Sequence, residues 1–248
     1  MASRIKDSGE RQGDSRSRIL DAALREFSAL GLAGARTDRI AERAGVNKAL
    51  LYYYYGSKEK LYAAALELIA TRIRDRSMAV LTSRATAGER LLRAALDHFD
   101  RILAQEDFQS LLQQEMMRLH RGEPGAMAVL VKNVFGPVQH MYESMVREGM
   151  ETGELIEADW MQIHLSALGA NVFYFLSAPV WRMVMSMDPL ATEALAARRK
   201  ALVEFLGQAV FRDRRRGAEL AARVLADMPM PEVNRERLRM GRKDEREK

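Results

Sequence analysis

The 248-residue sequence predicts an all-α protein, a small N-terminal helix-turn-helix domain followed by a larger helical domain. Three observations carry that prediction. Apolar residues recur at helical spacing along most of the chain, and no run alternates with the period of two that a half-buried strand requires. Breaker residues fall between the periodic stretches: Gly31, Gly45, Gly122 with Pro124, Gly136 with Pro137, Gly153, Pro179 and Pro189. Two short periodic segments are joined by "AGV", the small-residue turn that lets one helix follow another sharply.

Residues 1–14 read as a disordered arm, polar and without an apolar stretch, so not a secretory leader. "SRSRILDAALREFSALG" is a first helix with Ile19, Ala23, Phe27 and Leu30 on one stripe and Gly31 as its stop. "TDRIAERAG" is a shorter second helix, with Thr37 available as its cap, Ile40, Ala41 and Ala44 facing inward, and Gly45 at its end. "NKALLYYYY" follows at once as a third. "GSKEKLYAAALELIATRIRDRSMAVL" is a long fourth, with Ser57 as cap. Further helices are expected at Glu89 to Gln105, Asp107 to Arg121, Ala126 to Thr152, Asp159 to Ala178 and Thr192 to Phe211. Residues 213–248 read as a basic, partly disordered tail, since the stretch from Arg212 to Lys248 holds twelve basic and eight acidic residues.

Composition narrows the function. Apolar residues make up 48% of the chain, ample for a packed core. Lys and Arg outnumber Asp and Glu by 39 to 34, a modest tilt toward a polyanionic partner. Cysteine is absent, which removes disulfides, thiolate metal sites and cysteine nucleophiles. There is no phosphate-binding glycine loop, no G-x-S-x-G elbow and no metal-ligand spacing, so no enzyme is expected. His120, His140 and His164 with Glu115 are the conceivable metal ligands, but they scatter without a recognised spacing, and no cofactor is expected. From Trp160 to Trp181 there are 22 residues without Asp, Glu, Lys or Arg, long enough to cross a bilayer. Gln162, His164, Ser166 and Asn171 interrupt that run, and the reading is a helix buried among others in a cytoplasmic protein, not a membrane span.

Tyr52, Tyr53, Tyr54 and Tyr55 pose a separate problem. Successive helical side chains step by about 100°, so four in a row cover the whole circumference and cannot all face one core. Leu51 and Tyr55 share a face and can pack inward. Asn47, Lys48, Tyr52, Tyr53 and Tyr54 are left to face outward, and phenols beside a lysine suit a DNA backbone: hydroxyls for phosphate, flat rings for sugar or thymine methyl. Arg4, Lys6, Arg11, Arg16 and Arg18 form either a minor-groove arm or a solvated tail diluted by Asp7, Glu10 and Asp14.

The stretch from Arg18 to Leu61, "RILDAALREFSALGLAGARTDRIAERAGVNKALLYYYYGSKEKL", resembles the N-terminal domain of the TetR family of transcriptional regulators. The resemblance implies that Thr37, Tyr52, Tyr54 and Lys58 hold the phosphate backbone, and that Arg39, Asn47, Lys48, Ala49 and Tyr53 lie where bases are read. Tyr54 stands where a histidine is frequent, Tyr55 where a phenylalanine is, and Gly56 where a proline is; the Tyr55 hydroxyl therefore needs a partner or solvent. The resemblance divides the chain into a DNA-binding domain at 15–62 and an effector-binding and dimerisation domain at 63–212. It implies a homodimer on a near-palindromic double-stranded operator, with Leu165, Leu168, Val172, Leu195, Leu202, Phe205, Leu206 and Ala209 at the interface. It also implies a small-molecule effector, for which Phe108, Met116, Met117, His120, Phe135, Met141, Tyr142, Met145, Phe173 and Phe175, with Tyr174 and Met183 nearby, suggest a lipophilic or aromatic compound. The alternative is an architectural or partner-regulated DNA binder of the same fold without an effector.

Overall fold

The structure is a computed structural model and describes residues 2–104, 106–123, 125–185 and 187–232. The helices are α1 (Ala2–Gly34), α2 (Thr37–Ala44), α3 (Lys48–Tyr55), α4 (Lys58–Leu81), α5 (Ala87–Ala104), α6 (Glu106–His120), α7 (Met127–Leu130), α8 (Gly136–Glu151), α9 (Trp160–His164), α10 (Ala170–Met185), α11 (Thr192–Ala209) and α12 (Arg214–Asp227). Two π-helical turns, Val131–Phe135 and Leu165–Gly169, join α7 to α8 and α9 to α10. Among the described residues the one extended pairing is an antiparallel bridge between Leu155 and Phe211, so the all-α expectation stands.

Local chemistry explains most boundaries. Asn47, Asp159 and Asp213 each accept a hydrogen bond from a first-turn N–H and so cap α3, α9 and α12. Thr37 does not cap α2 as expected. That place belongs to Arg36, held extended because its N–H donates to Glu26 Oε1 at 3.3 Å. At Gly31 the backbone leaves helical geometry (φ 67°, ψ 177°), so the first helix stops there as expected and a further helical turn follows across the kink within α1. Helical backbone reaches back to Ala2, where composition reads as a disordered arm. Pro179 does not end its helix either, and α10 continues through it to Met185.

The chain forms two compact units. The first comprises residues 1–75 and 106–137, the second 76–105 and 138–248. These units do not follow chain order: the far end of the first returns after a long excursion. Its core joins Ile19, Phe27, Ile40, Leu51, Leu61 and Leu66 to Phe108, Leu111, Leu130 and Val134. Each large apolar side chain so buried contributes about 1.5–3 kcal/mol, and that burial outweighs chain order in fixing the unit. Glu115, fully buried on α6, fastens the assembly: its carboxylate accepts from Tyr62 Oη at 2.9 Å, from Arg118 at 2.9 Å and from the Ala126 N–H at 2.7 Å. A residue so occupied is a strut of the fold rather than a metal ligand.

The second unit packs α5 against α10, α11 and α12 around Leu91, Leu96, Phe99, Tyr142, Met145, Val203 and Leu206. Helix α12 lies where a basic tail was expected. Its Leu220, Ala221 and Val224 are buried, and it meets α11 at Gly207 and Gly217, where a Cβ on Gly217 would lie 2.0 Å from the Gly207 carbonyl oxygen. Residues 233–248, the rest of the expected tail, lie outside the described residues. Arg199 donates to both oxygens of Asp100 (2.6 and 2.7 Å) and to the Met228 carbonyl, so this buried pair is bidentate and further hydrogen-bonded to the backbone.

The expected dimer residues separate. Leu195, Leu202 and Leu206 are buried in their own unit, because α11 spends one apolar stripe on α5 and α12. Leu165, Val172, Phe205 and Ala209 are exposed and Leu168 is half-buried. The helix expected to be buried among others buries one stripe, Ile163, Ala167, Asn171 and Ala178, and leaves Phe173, Leu176, Val180 and Val184 open on the single chain.

Candidate nucleic-acid interface

Helix α3 is positioned from behind and presents its front. Gly45, in the left-handed region (φ 64°, ψ 37°), donates to the Ala41 and Glu42 carbonyls and closes α2; only a residue without Cβ takes that geometry freely. Asn47 Oδ1 then accepts the Leu50 N–H at 2.7 Å, so the side chain expected near bases is also the cap of α3. Leu51 is fully buried and Tyr55 nearly so. The Tyr55 hydroxyl, whose partner was in question, donates to the Arg16 carbonyl at 3.1 Å, while the Arg16 guanidinium sits 5.7 Å over its ring. Burial pushes the Tyr55 phenol up from its ordinary pKa, keeping it a donor.

The front of α3 is open. Asn47, Lys48 and Ala49 are exposed, Tyr52 is 39% exposed and Tyr53 75%. Tyr54 is half-buried and lies edge-on between Tyr53 and Tyr55. The Tyr52 hydroxyl lies 3.3 Å from Thr37 Oγ1, which brings two expected phosphate ligands together at the start of α2. Arg39 is exposed in the first turn of α2. Lys58 is half-buried at the start of α4, where it donates to the Ala33 carbonyl at 3.1 Å. One group was not foreseen: Asp38 on α2 forms an ion pair with Lys48 at 2.8 Å. Nothing in the sequence singles out Asp38, because its approach to Lys48 depends on how the two helices cross.

The fold agrees with comparisons to known proteins. Residues 19–71 match the family described as "Bacterial regulatory proteins, tetR family", and residues 88–206 match "Tetracyclin repressor-like, C-terminal domain". The chain belongs to the TetR family. TetR-family proteins are DNA-binding transcriptional regulators. The transcriptional repressor SCO4008 of Streptomyces coelicolor is 54% identical over 52 residues, 21% of this chain and about a quarter (27%) of that protein. The repressor NicS of Pseudomonas putida is 26% identical over 163 residues, 66% of this chain and 76% of NicS. The transcriptional regulator FadR of Bacillus subtilis, solved in complex with stearoyl-CoA, superposes with a TM-score of 0.58 at 20% identity, covering 77% of this chain and 96% of FadR; that likeness shows the fold.

Within this TetR-family chain the ten expected effector residues do not belong to one unit. Phe108, Met116, Met117, His120 and Phe135 lie in the first, where Phe108 is core, Phe135 is half-buried against that core, and Met116, Met117 and His120 are exposed. Met117 borders an open groove of about 680 Å³ with Gly31, Lys58, Gln114 and Arg121. Met141, Tyr142, Met145, Phe173 and Phe175 lie in the second unit, where Tyr142 and Met145 are buried, Met141 and Phe175 half-buried and Phe173 exposed. Tyr174 there donates to the Pro189 carbonyl, and Met183 is 85% exposed. Apolar residue type marks burial generally, and that is why it overcollects.

The second unit also holds buried polar groups, on residues the sequence singles out for other reasons. The Tyr142 hydroxyl, His164 Nδ1 and Asn171 Oδ1 are buried without a hydrogen-bond partner among the described residues. The Tyr142 and His164 rings meet edge-on at 4.5 Å. Asn171 Nδ2 donates to the Ala95 carbonyl at 3.0 Å and faces His98 Nδ1 at 3.4 Å. Burial, with Arg101 and His164 nearby, brings the His98 pKa down to about 3, so this imidazole is neutral and accepts through Nδ1.

Proposed function

We propose that this protein is a ligand-responsive repressor, acting in the cytoplasm as a homodimer on a near-palindromic operator and released by a lipophilic or aromatic small molecule. The observation that carries the DNA half is the division of α3: Leu51 and Tyr55 locked behind, Lys48, Ala49, Tyr52 and Tyr53 open in front. Two such helices related by a dyad would enter major grooves roughly 34–36 Å apart, one helical turn. For the dimer, the support is the exposed apolar face of α10 with Phe205 on α11. The stretch Trp160–Met185 is long and apolar enough to cross a membrane by length and composition. Asn171 and Arg182 on it, each engaged by polar groups of its own unit, favour cover by a second copy over lipid.

For the effector, the support is chemical. Tyr142 Oη, His164 Nδ1 and Asn171 Oδ1 offer unmet hydrogen bonds beside Met141, Phe99 and Phe175, an environment suited to an apolar molecule with one polar end. A ligand bound to the DNA-incompetent conformation weakens operator binding, and operator DNA weakens the ligand by the same factor. The deciding experiment sequences genomic fragments retained by the purified protein, then tests substrates of the neighbouring gene products in a gel shift at fixed salt. Retention of palindromic fragments and their release by one compound is the expected result. Retention without shared sequence overturns operator recognition. Operator retention with no release by any compound, in a protein whose second unit proves solid, returns the partner-regulated reading.

A further inference from the structure

We infer that Asp38 is a specificity-determining residue: it holds Lys48 out of reach of non-operator phosphates, and releases it when an operator base competes for the ammonium. The inference rests on the DNA-reading assignment of α3. Its basis is geometric. Asp38 Oδ1 lies 2.8 Å from Lys48 Nζ, both side chains are about half exposed (59% and 47%), and Lys48 is the first residue of the recognition helix, the end from which base edges are contacted. A carboxylate at that end of a reading helix faces a polyanion, and a bare one would be repelled. Paired with Lys48 it is neutralised, and the lysine is neutralised with it.

The consequence is a change in what each kind of DNA sees. On arbitrary sequence, a lysine already satisfied by Asp38 displaces no counterion from the duplex and adds nothing to the electrostatic affinity common to all DNA. On an operator, an acceptor fixed in the major groove, such as the O6 and N7 pair of a guanine, offers Lys48 a replacement, and Asp38 is left to solvent or to a cytosine amino group. Attraction to all DNA is thus lowered while attraction to one sequence is retained, which is specificity gained by a disfavoured alternative. The exposed pair has shifted titration in keeping with this: each partner's hydrogen bond to the other holds Asp38 below and Lys48 above its ordinary pKa.

The test uses the full-length protein and a 30-base-pair duplex of random sequence, with dissociation constants measured across a salt series. Asp38→Asn should bind this duplex roughly five- to tenfold more tightly at about 0.1 M salt, and its log–log salt dependence should steepen by about one unit, the value for one added phosphate contact. The steepening should vanish in Asp38→Asn/Lys48→Ala, because the lysine that supplies it is gone. On genomic fragments retained by the wild type, the preference over random duplex should fall in Asp38→Asn by a similar factor. An unchanged slope in the single variant, or a steepening that survives without Lys48, overturns the inference while leaving DNA binding intact. A wild type that binds neither duplex at any salt overturns the DNA-reading assignment itself, and the inference with it.

Discussion

Tyr53 and Lys58 show how differently two expected DNA ligands are held. Tyr53 is three-quarters exposed, so Tyr53→Ala should leave the melting temperature within a degree or two while changing which fragments are retained, read by repeating the genomic selection. Lys58 also closes the end of α1 through the Ala33 carbonyl, so Lys58→Ala should lose a little stability together with affinity for every sequence, and its salt slope should drop by about one unit. Tyr52→Phe should weaken all sequences alike, since its hydroxyl stands beside Thr37 at the phosphate end of α2. An unaltered affinity in both Tyr52→Phe and Lys58→Ala would refute the docking. These outward positions were legible because four tyrosines cannot all be core. Asp38 was not legible, because nothing local to residue 38 announces residue 48.

Helices α11 and α12 meet where neither has a side chain to offer. Gly207→Ala or Gly217→Ala drives a methyl into backbone, which cannot swing aside as a side chain tip can, and about 2–3 kcal/mol of stability should be lost, measured by urea unfolding. Helix α6 carries a different liability. Glu115→Ala strands the Tyr62 hydroxyl and the Ala126 amide together, at a cost of about 3 kcal/mol in the same assay. Helical existence was plain from periodicity in α1, α5 and α11. What periodicity missed follows from competition between local and distant forces: Pro179 marks a break that α10 runs through, the charge of Arg214 to Arg216 hid the apolar stripe of α12, and the return of α6 to the first unit is decided by a core assembled across a long sequence gap.

At the scale of the molecule, pH and assembly are the accessible variables. His98 has a folded pKa near 3 against about 6.5 unfolded, so between those values the unfolded chain takes up a proton the folded one refuses. Stability from this group is therefore whole above pH 6.5 and falls as pH drops, by about 1.4 kcal/mol per unit. The pH 6 to 4 slope of unfolding free energy should be shallower by that amount in His98→Gln than in wild type. Leu176→Glu and Phe205→Glu place charge on the open apolar face; sedimentation should show monomers, with operator affinity reduced by at least tenfold because the two half-sites are then held independently.

The weaving of residues 106–137 into the first unit has a practical corollary for anyone who cuts the gene. A fragment stopping after residue 71, where the N-terminal family match ends, would strip Phe27, Tyr62, Leu66 and Ile69 of the side chains that cover them and leave a phenol without its carboxylate. Such a peptide should aggregate or stay loosely folded, and its failure to hold DNA would say nothing about α3. Grafting this reading head onto another regulator would need both segments moved together.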